Sequence, residues 1–375
     1  MNNTDTRLDV IRGSAEPKKH NARTIAALTS NPGCARRSIL DAASIDKQAL
    51  AEHIGHPAAF GLSSFAIARG NAFETYVKAN GCAELLRLLR EHLALPLPEV
   101  SYDDLNSVAG HETLEARYRR SRQLLAHAAR SDQDAGTLFD HPLLRMTIGG
   151  RDVYLEPDLV AFRLRDRFHV VEIKSFPVID GRADSSKVAS AAIQSAVYVL
   201  ALRQLMEQLG FDSAVVSHEV FLVCPEDFSN RPTAALVDVR KQLTVVRRQL
   251  ARLTDVGAIA STLPPGLTLD LRRDEAGVAT RPVDELCEAL GQIEARYAPE
   301  CLATCEMASF CRTGARGHTA ALGRSVQEDL GGIDTIAAAL GLATGALDPG
   351  EHAHEAAQVL QMAERLRREC LGGAA

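Results

Sequence analysis

Asp158, Glu172 and Lys174 are the residues whose types and spacing point most directly to chemistry. Asp158 closes the run Glu156-Pro157-Asp158, at the start of a predicted strand from Leu159 to Leu164. Glu172 and Lys174 stand two apart near the end of the next, Phe168 to Lys174, and so point to one face. If the two strands are neighbours, Asp158 comes near Glu172. Two close carboxylates repel, and a divalent cation relieves the repulsion; Mg²⁺ prefers such oxygen ligands. A lysine beside the ion can orient or deprotonate an attacking water and stabilise charge growing on a phosphate. The chain has 35 arginines but 7 lysines, which makes a lysine in this apolar strand pointed. A strand end where charges simply enter solvent would read the same way.

Two further groups stand in order around this pair. Upstream, in a helical region, lies Arg69-Gly70-Asn71-Ala72-Phe73-Glu74. Downstream, Gln194 and Tyr198 form an i, i+4 pair on the helix after the Glu-x-Lys strand, sharing one face that could look onto the same end of the sheet. A third group is Cys301, Cys305 and Cys311, spaced C-x3-C-x5-C. With 8 cysteines in 375 residues and no export signal evident at Met1-Asn2-Asn3-Thr4-Asp5, a reducing, cytoplasmic setting and metal binding are expected rather than a disulfide framework. Three thiolates need a fourth ligand. His318 would make a Cys₃His zinc site, and three buried free thiols remain a plain alternative.

In this order and with these gaps, the motifs resemble the PD-(D/E)xK nuclease superfamily, and within it the RecB/AddB/Cas4-like branch. The matching residues are Gly70 to Glu74, Pro157-Asp158, Glu172-Ile173-Lys174 and Gln194 to Tyr198. Glu74 stands where that branch carries a metal-binding histidine; glutamate is a competent hard-metal ligand. The resemblance implies an α/β restriction-endonuclease-like fold, a mixed β-sheet flanked by helices with helical additions at both ends. It also implies metal-dependent hydrolysis of DNA, as an exonuclease on single-stranded ends. Glu74, Asp158, Glu172 and the carbonyl of Ile173 would hold Mg²⁺ or Mn²⁺, Lys174 would position the water, and Gln194 and Tyr198 would support the site. Cys34 would join Cys301, Cys305 and Cys311 around a structural [4Fe–4S] cluster, with Zn²⁺ as the alternative. The partners implied are single-stranded or duplex DNA ends, within a repair or defence complex. The competing reading is a catalytically silent DNA-binding or assembly subunit that keeps the nuclease fold, or a nuclease active only inside such a complex.

The elements that must position these residues follow from patterning. Residues 1–30 are polar without clear period and read as a mobile tail. Residues 31–135 read as a helical segment carrying Cys34 and Glu74, with Leu85, Leu86, Leu88, Leu89 and Leu93 at helical spacing. Residues 136–260 read as the nuclease core: strand–turn–strand across Gly149-Gly150, two further strands, then a helix from an Asp184-Ser185-Ser186 cap to about Leu209. Val215 to Val223 and Ala235 to Val239 follow as strands, and Arg240 to Leu253 as an amphipathic helix. A cysteine lobe is expected over 261–320 and helices over 321–375. Leu330-Gly331-Gly332-Ile333-Asp334-Thr335 reads more readily as a packed helix turn than as a phosphate-binding hairpin. Arg117, Arg119, Arg120 and Arg122, and Arg240, Arg247, Arg248 and Arg252, could line a DNA groove or simply solvate helix faces. His111, His127, His141 and His169 have no ligand spacing and read as bystanders.

Composition sets the frame: 46% hydrophobic and 24% charged residues is ordinary globular material. No apolar run approaches the roughly 20 residues of a membrane span. The net charge of −6 argues against a bulk basic coat but leaves a local basic groove open.

Overall fold

The computed structural model describes residues 3–18, 22–31, 33–58, 64–93, 100–105, 113–130, 137–148, 151–164, 167–227, 229–251, 256–350 and 353–372. Pro32, His111, the Gly149-Gly150 turn and Arg252 lie outside them. The chain forms two compact units. One gathers residues 1–17, 33–61 and 259–375; the other holds 18–32 and 62–258.

The expected succession of five segments therefore gives way to a discontinuous arrangement. Contacts that are remote in sequence join the three stretches of the first unit. Arg7 donates to the Pro265 carbonyl at 2.7 Å, and the Arg36 amide donates to Glu294 O at 2.8 Å. The expected mobile tail is also corrected. Residues 3–12 form helix α1 (Asn3–Arg12) and residues 22–30 form α2 (Ala22–Ser30). Leu8, Ile11 and Ile25 are fully enclosed, so sparse apolar residues suffice where each one is buried.

In the second unit, α5 (Ser64–Leu93) and α6 (Leu114–Arg130) precede most of a six-stranded mixed sheet. Its strands are β1 (Ser101–Asp104), β2 (Thr137–Asp140), β5 (Leu159–Leu164), β6 (Arg167–Ile173), β9 (Glu219–Pro225) and β10 (Pro232–Asp238), in spatial order β1-β2-β5-β6-β9-β10. β1 with β2 and β6 with β9 are parallel; the other neighbours are antiparallel. Two small hairpins, β3 (Leu144–Ile148) with β4 (Arg151–Leu155) and β7 (Val178–Ile179) with β8 (Arg182–Ala183), stand apart from it.

Helix α7 (Ser185–Gln208) and then α8 (Arg240–Leu250) complete the unit. The Asp184 carboxylate caps α7 as expected, accepting from the amides of Ser186 and Lys187 at 2.9 and 3.2 Å. α7 is long and apolar enough to cross a membrane by length and composition, yet most of it is buried in this core. One sheet face packs Phe139, Val160, Phe168 and Val170 against Val197 and Leu200 of α7. The other packs Leu138, Leu159, Val171 and Ile173 against Phe73, Val77, Leu85 and Leu89 of α5. β6 is covered on both faces, which explains its near-continuous apolar run.

The first unit is helical. It contains α1, α3 (Ala35–Ala42), α4 (Lys47–His53), α10 (Val283–Gly291), α11 (Cys301–Thr304), α12 (Ala308–Gly314), α13 (Arg324–Asp329), α14 (Ile336–Thr344) and α15 (His354–Gly372). α9 (Val256–Thr262) carries the chain into it. α14 and α15 close a small apolar core of Leu330, Ile333, Leu342 and Ala357. The Gly331-Gly332 turn ahead of α14 has positive φ at both glycines, and Thr335 caps that helix.

Candidate active site

The antiparallel ladder assembles one rim of the sheet. β2 ends beside the start of β5, and β5 starts beside the end of β6. Asp140-His141, Asp158 and Glu172-Ile173-Lys174 therefore line up on three neighbouring strands. The His141 amide donates to Asp158 O at 3.4 Å, and the Ile173 amide donates to Asp158 Oδ2 at 2.9 Å. The Lys174 amide continues the ladder to Val223 O at 2.9 Å. Arg69 Nη2 donates to Ser175 O at 2.6 Å, fastening α5 beside the end of the Glu-x-Lys strand.

On the α7 side of the rim, Glu172 is 1% exposed and paired through Oε1 with Lys174. Its other oxygen, Oε2, is buried without a hydrogen-bond partner. Burial, and then the nearby Asp158 charge, push the Glu172 carboxyl up to about 7. Desolvation raises Asp158 too, against the pull of Lys174 and of the Ile173 amide. Burial works against the charge on Lys174, but Glu172 and Asp158 outweigh it and hold the ammonium above its ordinary range. Tyr198 is buried on α7, and its hydroxyl is raised by burial and by the charges of Glu172 and Asp158. Gln194 sits one turn earlier on α7, partly exposed. Arg117 on α6 holds Glu156 at 2.7 Å, and Arg119 pairs with Glu115 at 3.1 Å, so both arginines answer carboxylates.

On the α5 side lies a second charged group, whose lysine and histidine the sequence reading missed. Lys78 Nζ stands 2.5 Å from Glu74 Oε1 and 2.7 Å from Asp140 Oδ1. His141 reaches Asp140 Oδ1 through Nδ1 at 2.8 Å and Glu74 Oε1 through Nε2 at 3.4 Å. Tyr102 donates to Asp140 Oδ2. His141 is therefore no bystander. Hydrogen bonding from His141 heads the causes that take the Glu74 carboxyl down to about 2. Burial opposes the charge on Asp140, but His141, Lys78 and Tyr102 take it down to about 2 as well. Burial also opposes the charge on His141, yet Asp140 and Glu74 lift it to about 9.

Asp104, Asp140 and His141 offer ligand atoms within 4.8 Å of one another. An open cleft of about 480 Å³ fronts this group, lined by Asn71, Glu74, Thr75, Lys78, Ala79 and His141. Directly after Lys78 the helical path of α5 breaks, with Asn80, Gly81 and Cys82 all at positive φ. Asn and Gly accept that conformation readily, and Cys82 is held there fully buried. Glu74 thus pairs with Lys78 and His141, while Asp158 and Glu172 sense its charge from across the rim. The signals for Lys78 were its place four residues after Glu74 and the scarcity of lysine. Asp140-His141 lacked a signal, because the short strand before it carries no clear alternation.

The other bystander histidines are structural or exposed. His169 is buried, with Nδ1 3.1 Å from Glu219 O and its ring against Phe221. His127 is exposed.

The four cysteines of interest all belong to the first unit. Cys34 precedes α3, and the Arg296 amide donates to its sulfur at 3.5 Å. Cys301 and Cys305 bracket α11, and Cys311 lies on α12. Cys311 senses Cys34 and Cys301 as neighbouring charges. Arg36 Nη1 donates to Cys311 Sγ at 3.2 Å while Nε holds Ile293 O at 3.2 Å and the guanidinium lies 5.4 Å over the Phe310 ring. Arg37 and Lys47 both pair with the buried Asp41. Arg37 Nη1 is buried without a hydrogen-bond partner, and Arg37 and Lys47 are the cations that act on Cys305. Burial nevertheless lifts Cys305 to about 11 and raises Cys311 against the pull of Arg36. His318 is exposed, and its backbone bridges to Thr335. Of the remaining cysteines, Cys82 and Cys224 are buried, Cys287 is half-buried and Cys370 is exposed.

No protein-family model matches the chain, and no curated protein does. Among solved structures, one described as the crystal structure of SSO0001 is similar to 45% of this chain and 84% of its own, at 12% identity and a TM-score of 0.19. A likeness that faint carries no argument about fold or activity.

Proposed function

We propose that this protein is a divalent-metal-dependent DNA nuclease of the PD-(D/E)xK kind, with a restriction-endonuclease-like core. The observation that carries the reading is the Glu172 carboxylate. It is buried, it leaves Oε2 without a partner, and it lies beside Asp158 with both carboxyls pushed upward. An unpaired buried carboxylate oxygen is costly unless a cation answers it. Hard oxygen donors of this kind fit Mg²⁺ or Mn²⁺. Asp158, Glu172 and the Ile173 carbonyl would hold the ion, and Glu74 would reach it from α5. When bound, it supplies Lewis-acid charge to the phosphodiester.

The residues do the rest. Lys174 is held protonated by Glu172 and Asp158, so it acts as a hydrogen-bond donor and not as a base. It orients the water and stabilises charge on the phosphate, while the water gives its proton to solvent as the new P–O bond forms and the leaving oxygen takes one from solvent as the old bond breaks. The Ile173 amide fixes Asp158 in place. Tyr198 and Gln194 close the α7 side. DNA ends are the proposed substrate, within a repair or defence complex in the cytoplasm. Cys34, Cys301, Cys305 and Cys311 would carry a structural [4Fe–4S] cluster. The buried cations Arg36, Arg37 and Lys47, beside Cys305 and Cys311, fit a group that deprotonates its ligands and leaves an anionic centre.

Lys174→Ala should lower Mn²⁺-dependent cleavage of labelled DNA by roughly 10²–10³-fold or more, with the circular dichroism spectrum unchanged. Cleavage at the wild-type rate by that variant would refute the assignment.

A further inference from the structure

The two lysine–carboxylate groups on the rim differ in one respect. Glu172 Oε2 has neither a hydrogen bond nor an ion-pair partner, whereas Asp140 Oδ1 in the Glu74 group, also without a hydrogen bond, stands within ion-pair distance of both Lys78 and His141. Lys78 Nζ bridges Glu74 and Asp140 at 2.5 and 2.7 Å, and its side chain is only 10% exposed. His141 spans the same two carboxylates, and Tyr102 takes the far oxygen of Asp140. The ammonium thus sits among carboxylate oxygens in the manner of a bound ion, with the His141 imidazolium beside it on the same two carboxylates. Asp104, Asp140 and His141 already offer ligand atoms close enough to share one metal ion.

We propose that Lys78 is a resident cation that fills the place of a second divalent ion, so that the rim works with a single exchangeable metal. The inference rests on the nuclease reading for its first ion and on the Lys78 geometry for the rest. A tethered charge cannot dissociate, so Lys78 keeps Asp140 and Oε1 of Glu74 in place at any metal concentration and leaves the other Glu74 oxygen to the first ion. Removing the ammonium leaves Glu74, Asp104, Asp140 and His141, which would release its proton to solvent, as an oxygen-and-nitrogen set of the kind Mn²⁺ accepts.

The test counts Mn²⁺ on the full chain, using the electron paramagnetic resonance signal of free Mn²⁺ and melting with and without EDTA. Wild type should bind one ion and Lys78→Met two. In EDTA the Lys78→Met protein should melt lower than wild type and recover with Mn²⁺. Adding Glu172→Gln to Lys78→Met should leave the new ion alone. Lys78→Gln, which keeps a hydrogen-bond donor, serves if the methionine variant does not fold. Two ions on wild type, or one on the Lys78 variants with no recovery by Mn²⁺, would overturn the proposal. A wild type that binds no Mn²⁺ while Lys78→Met gains one overturns the nuclease reading and upholds the resident cation.

Discussion

The carboxylate rim and the cysteine centre solve opposite problems. The rim draws its residues from neighbouring strands whose ladder sets their spacing, and it meets its carboxylates with Lys78, Lys174 and His141. Glu172 Oε2 is the buried carboxylate oxygen there with neither a hydrogen bond nor an ion pair. The cysteine centre draws on residues 34 and 301–311. Burial pushes Cys305 and Cys311 toward the neutral form, and buried cations surround them: Arg36 touches a carbonyl, a sulfur and a ring. On the proposed nuclease reading, a metal at the rim would serve the reaction, whereas one at the cysteines would serve the fold.

The sharpest break of that comparison is Cys34→Ser. Structural metal sites carry binding free energy on the order of 10 kcal/mol. The variant should lose bound iron or zinc, and amide exchange should speed up in residues 33–56 and 293–311. β5, β6 and β9 should keep their protection, and Mn²⁺ binding should persist. Equal loss across both units, or none, would show that the two centres are not separate in this sense.

A smaller effect is expected from Glu172→Gln. A carboxyl raised in the folded state binds protons more tightly there than in the unfolded chain. Metal-free wild type should therefore lose stability as pH rises from about 4.5, the ordinary value, through about 7. The loss should be on the order of 3 kcal/mol. The glutamine variant should flatten that slope in EDTA and abolish the stabilisation that Mn²⁺ confers. A slope unchanged by the substitution would assign it to another group.

The smallest effect sharpens the picture of the α5 side. Tyr102→Phe removes one hydrogen bond to Asp140 and should cost about 1 kcal/mol in denaturant unfolding. Because Lys78 and His141 still hold Asp140, the number of bound Mn²⁺ ions should not change.

Much of the rim was legible because strand pairing converts spacing into proximity. Pro157-Asp158 and Glu172-x-Lys174 meet by the antiparallel register, and the Asp184 cap announced α7. Lys78, Asp140 and His141 were hidden because they come from a helix turn and a four-residue strand that meet only in three dimensions. The N-terminal helices were hidden because their few apolar side chains are fully enclosed and show no repeating stripe. The discontinuous unit was illegible for a related reason: carbonyl contacts such as Arg36 to Glu294 and Arg7 to Pro265 leave no mark in local patterning.

That discontinuity has a consequence for synthesis. The stretch that contains Cys301 to Cys311 follows Cys34 by more than 260 residues. At roughly 5–20 residues per second, Cys34 waits for tens of seconds while residues 62–258 are made and can fold as a unit. The unit assembled from three stretches cannot complete itself until residues 259 onward have been made, and a metal held by all four thiols would bind only after that.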